Sequence, residues 1–146
     1  MPSSACGRRE VLSAAAAALG TAVIAGRAFA AESKHPDRAW YLEAKRMRDL
    51  AESWGDQSYG AVVVAEGQVV GYGPSRVVKD NDPNAHAERI AIREAQRTKS
   101  RGKLTNAVLY STSRPCHACE QAAARAGVSR MYFGEALQDA GVPRVR

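Results

Sequence analysis

The chain has 146 residues, of which 25% are charged and 45% hydrophobic, and it carries 21 Lys and Arg against 15 Asp and Glu, a formal charge of +6. That length suits one domain with a core large enough to stand without staples. With three cysteines in total, a fold held together by disulfides is excluded.

The N-terminal stretch "MPSSACGRREVLSAAAAALGTAVIAGRAFAAE" pairs Arg8 with Arg9, continues for sixteen residues without a charge (Val11–Gly26), and reaches Ala28-Phe29-Ala30. This is the order of a basic region, an apolar region and a small-residue cleavage site. The paired arginines resemble a twin-arginine export signal. The expectation is a signal over 1–30, a domain over 31–146, and a periplasmic or secreted mature protein. An uncleaved anchor fits less well, because sixteen alanine-rich residues fall short of the roughly 20 a span needs. Without residues 1–30 the chain keeps 18 Lys and Arg against 14 Asp and Glu, or +4, and only Cys116 and Cys119. A bridge between cysteines three apart closes too small a loop to add much stability. Metal binding is the better use of that pair.

"AESKHPD", 31–37, reads as a polar linker containing His35. Over 37–55, Trp40, Ala44, Met47, Ala51 and Trp54 recur at steps of four and three, which predicts a helix with Gly55 as its stop. "SYGAVVVAEGQVVGYG" predicts a hairpin turning at Glu66-Gly67. "PSRVVKDNDPN", 74–84, reads as a loop. A second amphipathic helix runs from Ala85 to about Arg97, then a basic loop, then a third strand "AVLYSTS" over 107–113. "CHACEQAAARAG" predicts a short helix ended by Gly127, and "SRMYFG" a fourth strand. The last twelve residues have room for a helical turn and a fifth strand near Val142–Val145. This order implies a central sheet with helices against its faces, an α/β architecture.

The chemistry lies in "NDPNAHAERIAIREA", 81–95, and "PCHAC", 115–119. Zinc accepts imidazole nitrogen and thiolate sulfur, and a catalytic site uses three protein ligands so that water can take the fourth position. His86, Cys116 and Cys119 supply three such ligands. Both fragments fall at predicted helix N-termini, where free N–H groups and the helix dipole should lower a thiol pKa. Glu88, two residues after His86, is placed to exchange protons with the water rather than to bind the metal. His86-Ala87-Glu88 with Pro115-Cys116-His117-Ala118-Cys119 reproduces the H-x-E…P-C-x-x-C signature of zinc deaminases.

With "VLYSTSRPCHAC", these fragments resemble the cytidine/deoxycytidylate deaminase superfamily, and within it the branch of guanine, nucleoside and tRNA adenosine deaminases. The resemblance covers about residues 37–134. It implies a three-layer α/β/α fold on a mixed sheet of about five strands. It also implies hydrolysis in which water activated at zinc attacks the ring carbon bearing the amine, and ammonia leaves. Carried over by position, His86, Cys116 and Cys119 would hold Zn2+ and Glu88 would carry the proton. Ser75 stands where the branch usually has a base-gripping asparagine, and Arg114 where it usually has glutamate.

His117, between the two cysteines, is expected to turn away from the metal. Lys45, Arg46 and Arg48, and Arg97, Lys99, Arg101 and Lys103, form two basic clusters read as a solvated face. Tyr72, Tyr110 and Tyr132 read as packing residues, and Trp40 and Trp54 as core. The partner expected is a small nucleobase or nucleoside of guanine or cytosine type. Nucleic acid is disfavoured by export, no membrane span should survive signal cleavage, and a homodimer is compatible with the reading. Two alternatives stay open: a tRNA-type adenosine deaminase, and a non-catalytic zinc-binding module on the same fold.

Overall fold

The computed structural model describes residues 37–99 and 102–145. The expected signal over 1–30, the linker with His35, and Arg101 lie outside the described residues. Eight elements follow in order: α1 (Arg38–Ser53), β1 (Gly60–Ala65), β2 (Gln68–Pro74), α2 (Ala87–Thr98), β3 (Val108–Ser111), α3 (His117–Ala126), β4 (Arg130–Phe133) and β5 (Gln138–Gly141).

The strands form one sheet in the order β2-β1-β3-β4-β5. β1 pairs antiparallel with β2 and β3, β3 parallel with β4, and β4 antiparallel with β5. A parallel pair needs a crossover, and α3 supplies it between β3 and β4. β1 and β2 need only a tight turn. Glu66 and Gly67 both adopt positive φ (53° and 70°), the backbone that a two-residue hairpin turn requires.

β1 is buried along its whole length, and its alternation divides the core in two. Val62 and Val64 pack with Ala44 and Tyr110 beneath α1, while Ala61, Val63 and Ala65 pack with Leu109, Met131 and the alanines of α2 and α3. Helices therefore cover both faces, the α/β/α layering expected on a mixed five-stranded sheet.

Close approach on the α2 side depends on two glycines of β2. A Cβ at Gly73 would lie 2.0 Å from the Ala87 carbonyl oxygen, and one at Gly71 2.1 Å from that of Ala91. Facing Ala91 and Ala95 are likewise small, so the first three turns of α2 lie directly on the strand.

Three expectations need correction. The fifth strand lies at Gln138–Gly141 rather than near Val142–Val145, because the turn at Gly134 brings Gln138 opposite Phe133, where pairing starts. Val142 and Val145 are instead exposed. Trp54 is not core: α1 has ended at Ser53, its helical period no longer applies, and Lys79 Nζ sits 3.6 Å over the ring. Tyr72 is 41% exposed because β2 is an edge strand, whereas Tyr110 and Tyr132 do pack, stacked at 5.6 Å. Among the described residues no helix is long and apolar enough to cross a membrane.

Candidate metal centre

α2 and α3 lie on one face of the sheet, and each starts with a residue of the signature. His86 is the N-cap of α2 and Cys116 the N-cap of α3, both in extended backbone (φ −63°, ψ 150° and φ −71°, ψ 165°). Neither cap uses its side chain to bond its own helix. The imidazole and the thiol are therefore available to a ligand at the positive ends of two helices.

His86, Cys116 and Cys119 come together with their ligand atoms all within 4.8 Å of one another. The sulfurs of Cys116 and Cys119 lie 3.6 and 3.5 Å from His86 Nδ1. A tetrahedral ion with bonds of about 2.3 Å to sulfur and about 2.0 Å to nitrogen would separate such atoms by about 3.5 Å, so the donor set fits zinc in type and spacing. The trio is graded in exposure: Cys119 is buried, His86 half-buried and Cys116 exposed, so the cluster opens to solvent on one side.

Glu88, in the first turn of α2, is 6% exposed. Cys119 Sγ donates to its Oε2 at 3.5 Å, and the Ser111 hydroxyl lies 3.3 Å from its Oε1. Burial is the largest influence on this carboxyl and raises its pKa. Its own N–H, Cys119, His86 and Ser111 oppose that without cancelling it. A carboxyl so placed holds a proton more readily than an exposed glutamate and can return it, which suits an acid/base group.

Cys119 departs from expectation in one respect. Burial first, then the Glu88 charge and Cys116, push the Cys119 thiol far above its ordinary range, so desolvation outweighs the helix end. A bound cation reverses this, since a coordinating thiol is deprotonated outright.

His117 stays outside the trio, as expected; its Nε2 lies 3.0 Å from Gln121 Nε2, one turn along α3. Arg114 is exposed and reaches over Phe133 at 5.9 Å. Ser75 is fully buried, its hydroxyl donating to Asp56 at 2.9 Å, so it offers nothing to a ligand on the surface. A groove of about 1000 Å3 lies elsewhere, lined by Met47, Leu50, Tyr72, Ile90 and Arg97 among others and by none of the four signature residues. The candidate ligands sit at the helix ends, not in that groove.

Sequence reading passed over Ser111 and Asp56. Ser111 was hidden inside an apolar strand. A hydroxyl residue at the end of a buried strand, four residues before the Pro-Cys, was the available signal.

The sequence model described as "Cytidine and deoxycytidylate deaminase zinc-binding region" matches residues 34–135. The chain is 36% identical over 103 residues to the tRNA-specific adenosine deaminase of Buchnera aphidicola subsp. Schizaphis graminum, covering 70% of this chain and 68% of that one. It is 35% identical over 92 residues to the tRNA-specific adenosine deaminase of Haemophilus influenzae, covering 62% of this chain but 53% of that protein. Among solved structures, the guanine deaminase of Bacillus subtilis superposes with a TM-score of 0.63 at 29% identity, covering 66% of this chain and 62% of that one. The chain thus spans between about half and two thirds of these relatives.

Proposed function

The chain belongs to the cytidine and deoxycytidylate deaminase zinc-binding family, and from that premise we propose that it hydrolytically deaminates a nucleobase or nucleoside of guanine or cytosine type. The observation that carries this reading is the gathering of His86, Cys116 and Cys119 around one point, with the buried Glu88 carboxyl in contact with Cys119. His86 through Nδ1 and the two cysteines through Sγ would hold the zinc. Bound there, zinc supplies Lewis acidity that brings the pKa of a water to about 7.

The remaining work falls to the protein. Glu88 accepts one proton from the attacking water at Oε2, on the side facing the cysteines, and gives it to a ring nitrogen; it then takes a second from the hydroxyl left on the ring carbon and gives that one to the departing amine. The Ser111 hydroxyl, which also bonds the Ser113 carbonyl, lies 3.3 Å from the opposite oxygen. The burial that raises its pKa lets Glu88 hold each proton between taking it up and handing it on.

An intact acid/base beside an open-sided ligand trio also distinguishes an enzyme from a zinc-holding structural module, which needs no proton carrier. The test is ammonia release by zinc-loaded protein from a panel of free bases and nucleosides, beside Glu88→Gln. We expect turnover of at least one member and a loss of at least about 100-fold in the variant. Undiminished turnover by Glu88→Gln would reject the assignment.

The relatives named as tRNA-specific adenosine deaminases support a second reading, in which the substrate is a nucleic acid. An adenosine-containing RNA stem-loop belongs in the panel. Deamination of the stem-loop alone, weakening steeply with salt as phosphate contacts require, would select that reading.

The twin-arginine-type signal over 1–30, with 31–146 as the exported domain, remains our proposal from the residues alone. A pathway carrying folded proteins suits this domain, because zinc loaded before export protects Cys116 and Cys119 from oxidation.

A further inference from the structure

We propose that Asp56 is the positioning residue for His86: it anchors the loop 75–85, whose end delivers that histidine to the two cysteines. This rests on the metal reading above.

Asp56 lies in the turn between α1 and β1 and is only 9% exposed. Its carboxylate accepts four hydrogen bonds. Oδ1 receives the Gln57 N–H at 2.7 Å and the Ser75 hydroxyl at 2.9 Å, and Oδ2 receives the N–H groups of Val78 at 3.0 Å and Lys79 at 2.8 Å. Three of the four donors belong to the loop. Arg76 does not compensate the charge by direct contact, since its guanidinium is bound to Asp80 at 2.7 and 2.9 Å. Lys79 adds a separate tie to the same turn through the Trp54 ring.

The loop passes the constraint to its end. Ser75 N–H donates to the Tyr59 carbonyl at 3.0 Å, which fixes the start. Asp82 N–H donates to Val77 O at 3.1 Å and Ala85 N–H to Asp82 O at 2.9 Å, which folds the loop on itself. Arg76 N–H then donates to Ala85 O at 3.0 Å and closes it. Ala85 is 1% exposed, and its carbonyl belongs to the peptide that leads into His86.

Cys116 and Cys119 are placed independently, by α3 and its approach from β3. The two S···N distances of 3.6 and 3.5 Å thus depend on the seating of α2, whose N-cap is His86, and on how the loop that leads into it is held. Truncating Asp56 leaves the N–H groups of Val78 and Lys79 without their acceptor, and they must turn to water for a replacement. The loop moves, and His86 moves with it.

The test uses the full chain loaded with cobalt(II), whose visible bands report ligand geometry, and with zinc, measured by competition with a chelator. Asp56→Ala should weaken zinc binding by about tenfold or more, the scale seen when support of a ligand is removed, and should shift the cobalt bands. Asp56→Asn keeps one acceptor oxygen and should fall between it and the wild type. Ser75→Ala leaves both Oδ2 bonds in place and should shift least. Asp139→Ala, which breaks an exposed pair with Arg130, should leave bands and affinity unchanged. Should Asp56→Ala fail to fold, the graded pair Asp56→Asn and Ser75→Ala decides the matter. Wild-type bands and zinc affinity in the Asp56 variants that fold would overturn the proposal, whatever happens to their melting temperature. A wild-type protein that takes up no cobalt would instead overturn the metal reading beneath it.

Discussion

Replacing Gly73 by alanine probes how the sheet sets the active helix. The added Cβ would meet Ala87 O at 2.0 Å, Ala91 N at 2.7 Å and Ala91 Cβ at 2.8 Å. Unstrained contacts between carbons sit at about 3.5 Å, so an overlap of this size cannot be absorbed by a side-chain rotation. The obstructing atoms are mostly helix backbone, and α2 must lift as a body. Overpacking typically costs about 1–3 kcal/mol. With two backbone atoms in the way, we expect about 3 kcal/mol, a fall in melting temperature of roughly 10 °C for a domain of this size. Ala87 sits between His86 and Glu88, so the lift also displaces the proposed proton carrier. Gly71→Ala provides the comparison: its Cβ meets Ala91 O at 2.1 Å and Ala95 N at 2.7 Å, one turn further from the site. The two variants should lose similar stability, while Gly73→Ala loses more turnover and more zinc affinity. Gly67→Ala, with φ +70° and nothing within 4 Å, carries only the positive-φ penalty of about 1–2 kcal/mol. Thermal melts by circular dichroism, chelator competition and ammonia release read all three. A Gly73→Ala protein that melts with the wild type and turns over normally would refute the packing argument.

Cys119→Ala should reduce zinc from about one ion per chain to a small fraction by elemental analysis, and a chelator that destabilises the wild type should no longer change the variant's melting curve. Acid should release the loop around Asp56. Burial pushes that carboxyl up, but the hydrogen bonds from Lys79, Gln57, Ser75 and Val78 together outweigh it and hold it below the ordinary carboxylate range. The folded pKa is therefore lower than the unfolded value of about 3.9, so this contribution to stability is complete above that value and lost as the pH falls through the folded one. Ser75→Ala removes one of those bonds and should begin acid unfolding at higher pH than the wild type. High salt should leave that difference intact, because it screens exposed pairs such as Arg130–Asp139 far more than a buried carboxylate. Finally, Arg8→Lys/Arg9→Lys and Cys116→Ala should both stay in the cytoplasmic fraction if export takes a folded, metal-loaded chain. Equal periplasmic recovery with the wild type would reject that coupling.

Features carried by short stretches were legible in the residues alone. H-x-E and P-C-x-x-C point to a His/Cys/Cys group beside a carboxylate, and the fold gathers these residues at the starts of two helices. Glu66-Gly67 marks the hairpin and Gly127 the stop of α3, and both glycines adopt the positive φ that local sterics reserve for such positions. Features that depend on what lies opposite in space were not legible. "QDAG" has little strand propensity, and β5 forms there because the Gly134 turn sets it beside β4. Gly71 and Gly73 looked like ordinary strand residues until α2 was laid across them. Ser75 aligned with a substrate-gripping position, yet its hydroxyl turns inward to Asp56, nineteen residues earlier in the chain. Spacing along a chain determines which groups can share a helix turn or a hairpin. Which distant groups share a buried hydrogen bond is decided only when the sheet assembles and water is excluded, because only then does an unpaired carboxylate or N–H carry a heavy cost.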